Sequence, residues 1–231
     1  MLVFTAVVGG AVLPVVAQNI GFYNLPVKPG DNLIAYQLDN SPDNDINHVL
    51  LGGVLTGSTF TEWDPVGNQL LPVSTFNGTT WSINYPFAPD GIGGVLNSPD
   101  DVTLLFAGSV VNLVTEGPNT GQYDFTPPER DSGTFLLAAA ATVNGATFQQ
   151  IIGRNPNDGD AVRTLDSATQ QYSTTTFNNG AWNNGTPSLG VGQAAYFDLA
   201  VPEPSVYALT GLGALLVVTS RKMRIGKSRS A

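Results

Sequence analysis

The chain has no cysteine and a single histidine, His48, in 231 residues. The first absence excludes disulfides, thiolate metal sites and cysteine nucleophiles. The second excludes a histidine-based metal cluster within one chain. Charge is scarce as well, at 12% of residues, and positive charge is scarcest where most of the chain lies. From Gln18 to Val201 the only basic residues are Lys28, Arg130, Arg154 and Arg163, whereas 17 of the 18 acidic residues fall there. An acidic surface repels phosphates, so no nucleic-acid partner is expected. Three catalytic signatures are missing: a G-x-S-x-G elbow, a Walker loop and an H-E-x-x-H helix. The Gly91-Ile92-Gly93-Gly94 run is followed by neither a lysine nor a helix start, and it reads as a turn. No catalytic residue and no enzyme activity are expected.

What the sequence does have is 26 glycines, 16 prolines and a hydrophobic fraction of 42%. That hydrophobic fraction is too high for a disordered chain. The punctuation favours short strands joined by turns over long surface helices. Two stretches also resemble each other about a hundred residues apart. "STFTEWDPVGNQLLPVSTFNGTTW" from Ser58 aligns with "DAVRTLDSATQQYSTTTFNNGAW" from Asp160, matching Asp64 to Asp166, Phe76 to Phe177 and Trp81 to Trp182. "GDNLIAYQLDN" from Gly30 aligns with "GTFLLAAAATVN" from Gly133, and "INHVLLG" from Ile46 with "FQQIIGR" from Phe148. Each copy reads as a β-meander: a strand over Thr59–Trp63, a turn over Asp64–Asn68 and a return strand over Leu70–Phe76. A type I′ turn at Asn77-Gly78 follows, with Asn178-Asn179-Gly180 in its place in the second copy. Two β-sandwich-like lobes, or one sandwich made of two halves, fit this pattern. "EGPNTGQYDFTPPERD", from Glu116 to Asp131, reads as the connection.

The two ends differ from the body. Leu2 to Val16 is apolar, and Ala17 precedes Gln18 in a small-residue context. This reads as a secretory signal peptide cut between Ala17 and Gln18. No basic residue precedes Lys28, which is atypical for such a signal, and a buried N-terminal strand is the alternative. At the other end, Val201-Pro202-Glu203-Pro204-Ser205 leads into the uncharged stretch Val206–Thr219. The apolar positions there include Val206, Leu209, Leu212, Leu215, Leu216, Val217 and Val218. As a helix this stretch spans about 21 Å, less than a bilayer's hydrocarbon core. Arg221, Lys222 and Arg224, followed by Lys227 and Arg229, would resist crossing and stay cytoplasmic. A soluble core helix is the alternative for this stretch.

The order of Pro202-Glu203-Pro204, a short apolar segment and a basic tail resembles the PEP-CTERM sorting signal of Gram-negative bacteria, a motif also called "ice-binding protein C-terminal". The resemblance covers about 30 residues at the end of the chain. It implies that an exosortase, a membrane-embedded transpeptidase, recognises Pro202, Glu203 and Pro204 and removes the tail after a transient stay in the inner membrane. It also implies an exopolysaccharide or biofilm setting. The body in turn resembles the tandem β-repeats of secreted verrucomicrobial proteins. The expected fold is therefore mainly β, with two tandem β-sandwich-like or meander repeats and a short C-terminal hydrophobic helix. Its expected parts are a signal peptide (1–17), repeat 1 (18–115), a linker (116–132), repeat 2 (133–200) and the sorting signal (201–231).

Within the body, Asp39, Ser41, Asp43 and Asp45 alternate like the start of a calcium loop. The glycine at position six and the glutamate at position twelve are missing, and Leu50 stands at the latter. Asn155–Asp160 is a second acidic turn. Turn-forming Asp and Asn account for both without a metal. No cofactor is expected, and calcium is kept only as the lesser reading. Trp81 and Trp182 are the candidates for stacking on sugar rings, against the commoner role of tryptophan in a hairpin core. Glu62, Asp64, Glu116 and Glu129 are available for a glycosidase-like pair, which only separation in space could define. The expected role is an exported surface or extracellular-matrix protein, structural or adhesive. An exopolysaccharide-binding module is the alternative, and a glycan hydrolase the second alternative.

Overall fold

The short runs of β-branched and aromatic residues between Gly, Pro, Asn and Asp become strands, and the protein is mainly β. The computed structural model describes residues 20–50, 52–87, 91–110, 135–139 and 146–201. The expected signal peptide, linker and sorting signal lie outside these residues.

All strand pairs among the described residues are antiparallel. One sheet runs β2 (Gly30–Ala35), β7 (Gly93–Ser98), β4 (Thr59–Asp64) and β5 (Gln69–Leu70), with β6 (Ser74–Thr75) also paired to β4. A second runs β1 (Ile20–Val27), β8 (Val102–Val110) and β3 (Leu38–Asp39). The third has the order β13 (Ala181–Trp182), β12 (Gln171–Asn178), β11 (Ala161–Asp166), β15 (Ala194–Asp198) and β9 (Phe135–Ala139). A short pair joins β10 (Ala146–Thr147) to β14 (Ser188–Leu189).

Two helical turns stand at the places of the apolar segments singled out in the sequence. These are α1 (Ile46–Val49) and α2 (Phe148–Ile152). At the start of α2 the Gln150 Oε1 accepts a hydrogen bond from the Thr147 amide at 2.9 Å, and Gly153 ends the turn at φ 82°.

The sheet of β2, β7 and β4 serves two cores. Ile34, Tyr36, Phe60 and Leu96 pack with Leu25, Val27, Leu104 and Phe106 of the β1–β8 ribbon, and with Ile46, Phe76, Trp81 and Phe87. Leu33, Ala35 and Trp63 pack with Phe148, Ile151, Val162, Ala195 and Phe197 of the C-terminal half. A strand buried on both faces reads as a continuous apolar run rather than an alternation, which is why "LIA" at the end of β2, continued by Tyr36, carries no period-two signal. Close packing of the sheet depends on Gly94. A Cβ there would lie 2.3 Å from the Phe60 ring, so no other residue fits without displacing the phenyl group.

The return strand expected over Leu70–Phe76 is broken into β5 and β6. Pro72 lies between them, has no amide hydrogen to donate to the ladder, and its carbonyl accepts instead from the Tyr85 hydroxyl at 2.7 Å. The type I′ turn forms in only one of the two hairpins. Asn179 and Gly180 both have positive φ, 52° and 79°, between the paired Asn178 and Ala181. In the other, Gly78 has φ 96° but Asn77 does not enter the left-handed region. The Asn77 Oδ1 accepts from the amides of Thr79 and Thr80, both at 2.9 Å, and holds a wider loop between Phe76 and Trp81.

Candidate functional site

The two tryptophan hairpins share a local construction. The Gly57 amide donates to the Phe76 carbonyl at 2.9 Å, and the Phe76 amide donates to the Ser58 carbonyl at 2.9 Å. In the second hairpin Gly159, Phe177 and Asp160 make the same two bonds, each at 2.8 Å. The Phe76 and Trp81 rings lie 5.3 Å apart, and those of Phe177 and Trp182 5.2 Å apart. Asp64 and Asp166 each turn a carboxylate oxygen back on the amide two residues ahead, at 2.9 and 3.0 Å. The surroundings of the two indoles differ. Trp81 is 4% exposed, packs edge-on against Phe60, and is closed off from any sugar ring. Trp182 is half-buried and rests on Phe148 at 5.3 Å.

In the first acidic turn Asp39 spends its carboxylate on its own loop. The Asp39 Oδ1 accepts from the Ser41 hydroxyl at 2.6 Å, the Ser41 amide at 2.8 Å and the Asn44 side chain at 2.6 Å. Hydrogen bonds from the Ser41 and Asn44 side chains hold its carboxyl below the usual carboxylate range. Asp45 meets the His48 Nδ1 at 2.8 Å. Burial pushes the Asp45 carboxyl up, but the bonds from His48 and Asn84 outweigh it and the net shift is downward. Among the described residues no three His, Asp or Glu side chains gather where they could hold a metal ion. Of the carboxylates weighed for hydrolysis, Glu62 is buried opposite Gly94, Asp64 sits at its turn, and Glu116 and Glu129 lie outside the described residues.

A cleft of about 270 Å³ is lined by Asn32, Leu33, Thr164, Ser167, Ser188 and Gln193 among others. Among the described residues no charged side chain lines it. On the third sheet, Arg163 stands opposite Tyr196 and Leu165 opposite Tyr172, which puts both tyrosines on one face. Their rings are 6.2 Å apart, and Tyr172 is 46% exposed. Burial, with smaller contributions from Tyr172 and Asp31, pushes the Tyr196 phenol up to about 12. Burial and then Asp31 raise that of Tyr172, against the opposing pull of Arg163. The exposed aromatic surface of the third sheet therefore lies at Tyr172, a residue the sequence did not single out.

The chain reaches Val201 through β15. Leu199 is fully buried, and the Ala200 amide donates to the Asp160 Oδ1 at 2.8 Å. Asp160 is itself buried and is gripped by Arg154 at 2.7 and 3.0 Å. In the sequence, Asn155–Asp160 reads as an acidic turn. The one available signal was Arg154 as a rare cation beside it. Val201 is 64% exposed and is the last described residue before Pro202. Pro202, Glu203 and Pro204, the apolar positions Val206 to Val218, the basic residues Arg221, Lys222 and Arg224, and the Ala17–Gln18 junction all lie outside the described residues. No helix among the described residues is long and apolar enough to cross a membrane. No protein-family model matches the chain, and neither does any curated protein or solved structure.

Proposed function

We propose that this chain is an exported bacterial surface or extracellular-matrix protein, structural or adhesive rather than catalytic, delivered by a C-terminal signal of the PEP-CTERM type. The observation that carries the reading is the order of Pro202-Glu203-Pro204, an uncharged apolar stretch and a basic tail after an acidic body. Two prolines remove two backbone donors and favour extended chain, the form a transpeptidase cleft accepts. The apolar stretch holds that segment at the membrane, and the cations hold its end on the cytoplasmic side. The partner is then an exosortase-type enzyme, and the stay in the membrane is transient.

The body reads as a duplication of one β-hairpin unit. The paired Gly–Phe–Ser and Gly–Phe–Asp backbone bonds, the two Phe–Trp ring pairs and the left-handed Asn68 and Gln170 at corresponding turn positions support it. The sharing of Leu33, Ala35 and Trp63 with the C-terminal core favours joined halves over independent lobes. A second reading, binding of exopolysaccharide, is favoured by the exposed Tyr172 beside Tyr196, since aromatic faces stack on sugar rings.

Fractionation of cells expressing a body-tagged chain tests the sorting reading. Wild type is expected at the surface without its tail, and Glu203→Ala as a tailed precursor in the membrane. Identical distribution of the two would contradict it. Binding to a polysaccharide array that is lost in Tyr172→Ala, with an unchanged thermal transition, would establish the second reading. Absence of binding by the wild type would remove it.

A further inference from the structure

The end of the body is held by a single buried carboxylate. Asp160 has no exposed surface and accepts four hydrogen bonds. Two come from the Arg154 guanidinium, at 2.7 and 3.0 Å; one from the Asn157 amide, at 2.6 Å; and one from the Ala200 amide, at 2.8 Å. The first three hold the carboxylate in one orientation at a place where an unpaired polar group would be costly. The fourth ties down the chain two residues beyond the end of β15. Leu199 is buried in the core between them. Gly159 lets the chain come close here, since a Cβ on it would stand 3.1 Å from the Ala200 Cβ. One residue later Val201 is exposed and Pro202 has no amide hydrogen to donate.

We propose that the Arg154–Asp160 pair is a clasp that fixes the C-terminal boundary of the body at Ala200, so that β15 stays closed when a processing enzyme takes hold of the chain beyond it. The inference rests on the sorting reading for its biological purpose, but its geometry stands apart from it. β15 is an interior strand, bonded to β11 on one side and β9 on the other. A tail pulled or bound at the membrane would peel this strand from its free end. The clasp stops that peeling at the first residue it reaches. Among the described residues the last such tie is made by Ala200, which processing near Pro202–Pro204 would leave in place.

The test is limited proteolysis of the purified full chain by a protease of broad specificity, read by intact mass, with hydrogen exchange at the Ala200 amide. Wild type is expected to be trimmed from its C-terminus no further than Val201. Asp160→Ala is expected to be trimmed into β15. Asp160→Asn keeps the shape and one acceptor but loses the ion pair. It is expected to exchange the Ala200 amide at least about tenfold faster, with the Leu96 and Phe106 amides unchanged. If Asp160→Ala fails to fold, Asp160→Asn alone decides. An unchanged trimming limit and unchanged Ala200 exchange in Asp160→Asn overturn the clasp. An equal rise at Leu96 and Phe106 overturns it too, by showing a general stabiliser. No sorting enzyme is present in this assay, so its failure is distinct from retention of the tail in cells, which would instead sink the sorting reading.

Discussion

The side chain of Gln170 closes on the backbone of Asp31 from both sides. Its Oε1 accepts from the Asp31 amide at 2.8 Å, and its Nε2 donates to the Asp31 carbonyl at 3.0 Å. The same Nε2 reaches the carbonyls of Ser167 and Pro29, at 2.7 and 3.2 Å. The turn between β11 and β12 is thereby pinned to the start of β2, across 139 residues of sequence. Gln170 makes these bonds from a left-handed backbone at φ 56°, a conformation that costs a non-glycine residue about 1 kcal/mol.

Two substitutions separate the bonds from the strain. Gln170→Ala loses every one of the bonds and keeps the strain, so a loss of about 1–2 kcal/mol is expected from denaturant titration. Gln170→Gly loses the same bonds but relieves the left-handed penalty, and is expected to be the more stable of the two. The reverse order would show that the backbone at this turn is not held as described.

The two tryptophans should differ in kind. Trp81→Ala empties a site in the core against Phe60 and Phe76, and a loss of about 3–5 kcal/mol is expected. Trp182 is half-buried, so Trp182→Ala is expected to cost less, about 2 kcal/mol. Thermal or denaturant unfolding checks both. A stable Trp81→Ala variant that has lost affinity for a polysaccharide would place this indole at a binding surface instead.

His48 should report its contact with Asp45. The hydrogen bond that the His48 ring donates to Asp45 raises the His48 pKa, with desolvation opposing it and the charges of Asp45 and Asp43 adding to it. The folded pKa lies above the ordinary histidine value. The contribution to stability is therefore complete below about pH 6.5 and is lost as pH rises through the folded pKa. For Asp45, whose folded pKa is lowered, the contribution is present above the ordinary carboxyl range and is lost as pH falls through the folded value. An NMR titration of the imidazole is expected to show the raised value, and Asp45→Asn to return it toward the ordinary one. No change on that substitution would contradict the pairing.

The strands and turns were legible because they rest on local chemistry. The Thr59–Trp63 strand, the Asp64–Asn68 turn and the apolar segments at Ile46 and Phe148 appear where turn residues and periodicity put them. The broken return strand was legible in principle, since Pro72 stood in the expected run. Other features depend on partners far away in sequence. "LIAY" gives no hint that Leu33 and Ile34 belong to different cores. Trp81 and Trp182 occupy matched sequence contexts, yet only one is enclosed, because Phe60 covers Trp81. Asp160 read as one more acid in a turn. Its role depends on the Ala200 amide 40 residues later, a relation that no local pattern encodes.

Intact mass spectrometry of surface and matrix material from the producing cells tests the central claim most directly. The account predicts a mature chain beginning at Gln18 and ending near Pro202–Pro204, recovered outside the cytoplasm. The full 231-residue chain found in the cytoplasm would contradict it.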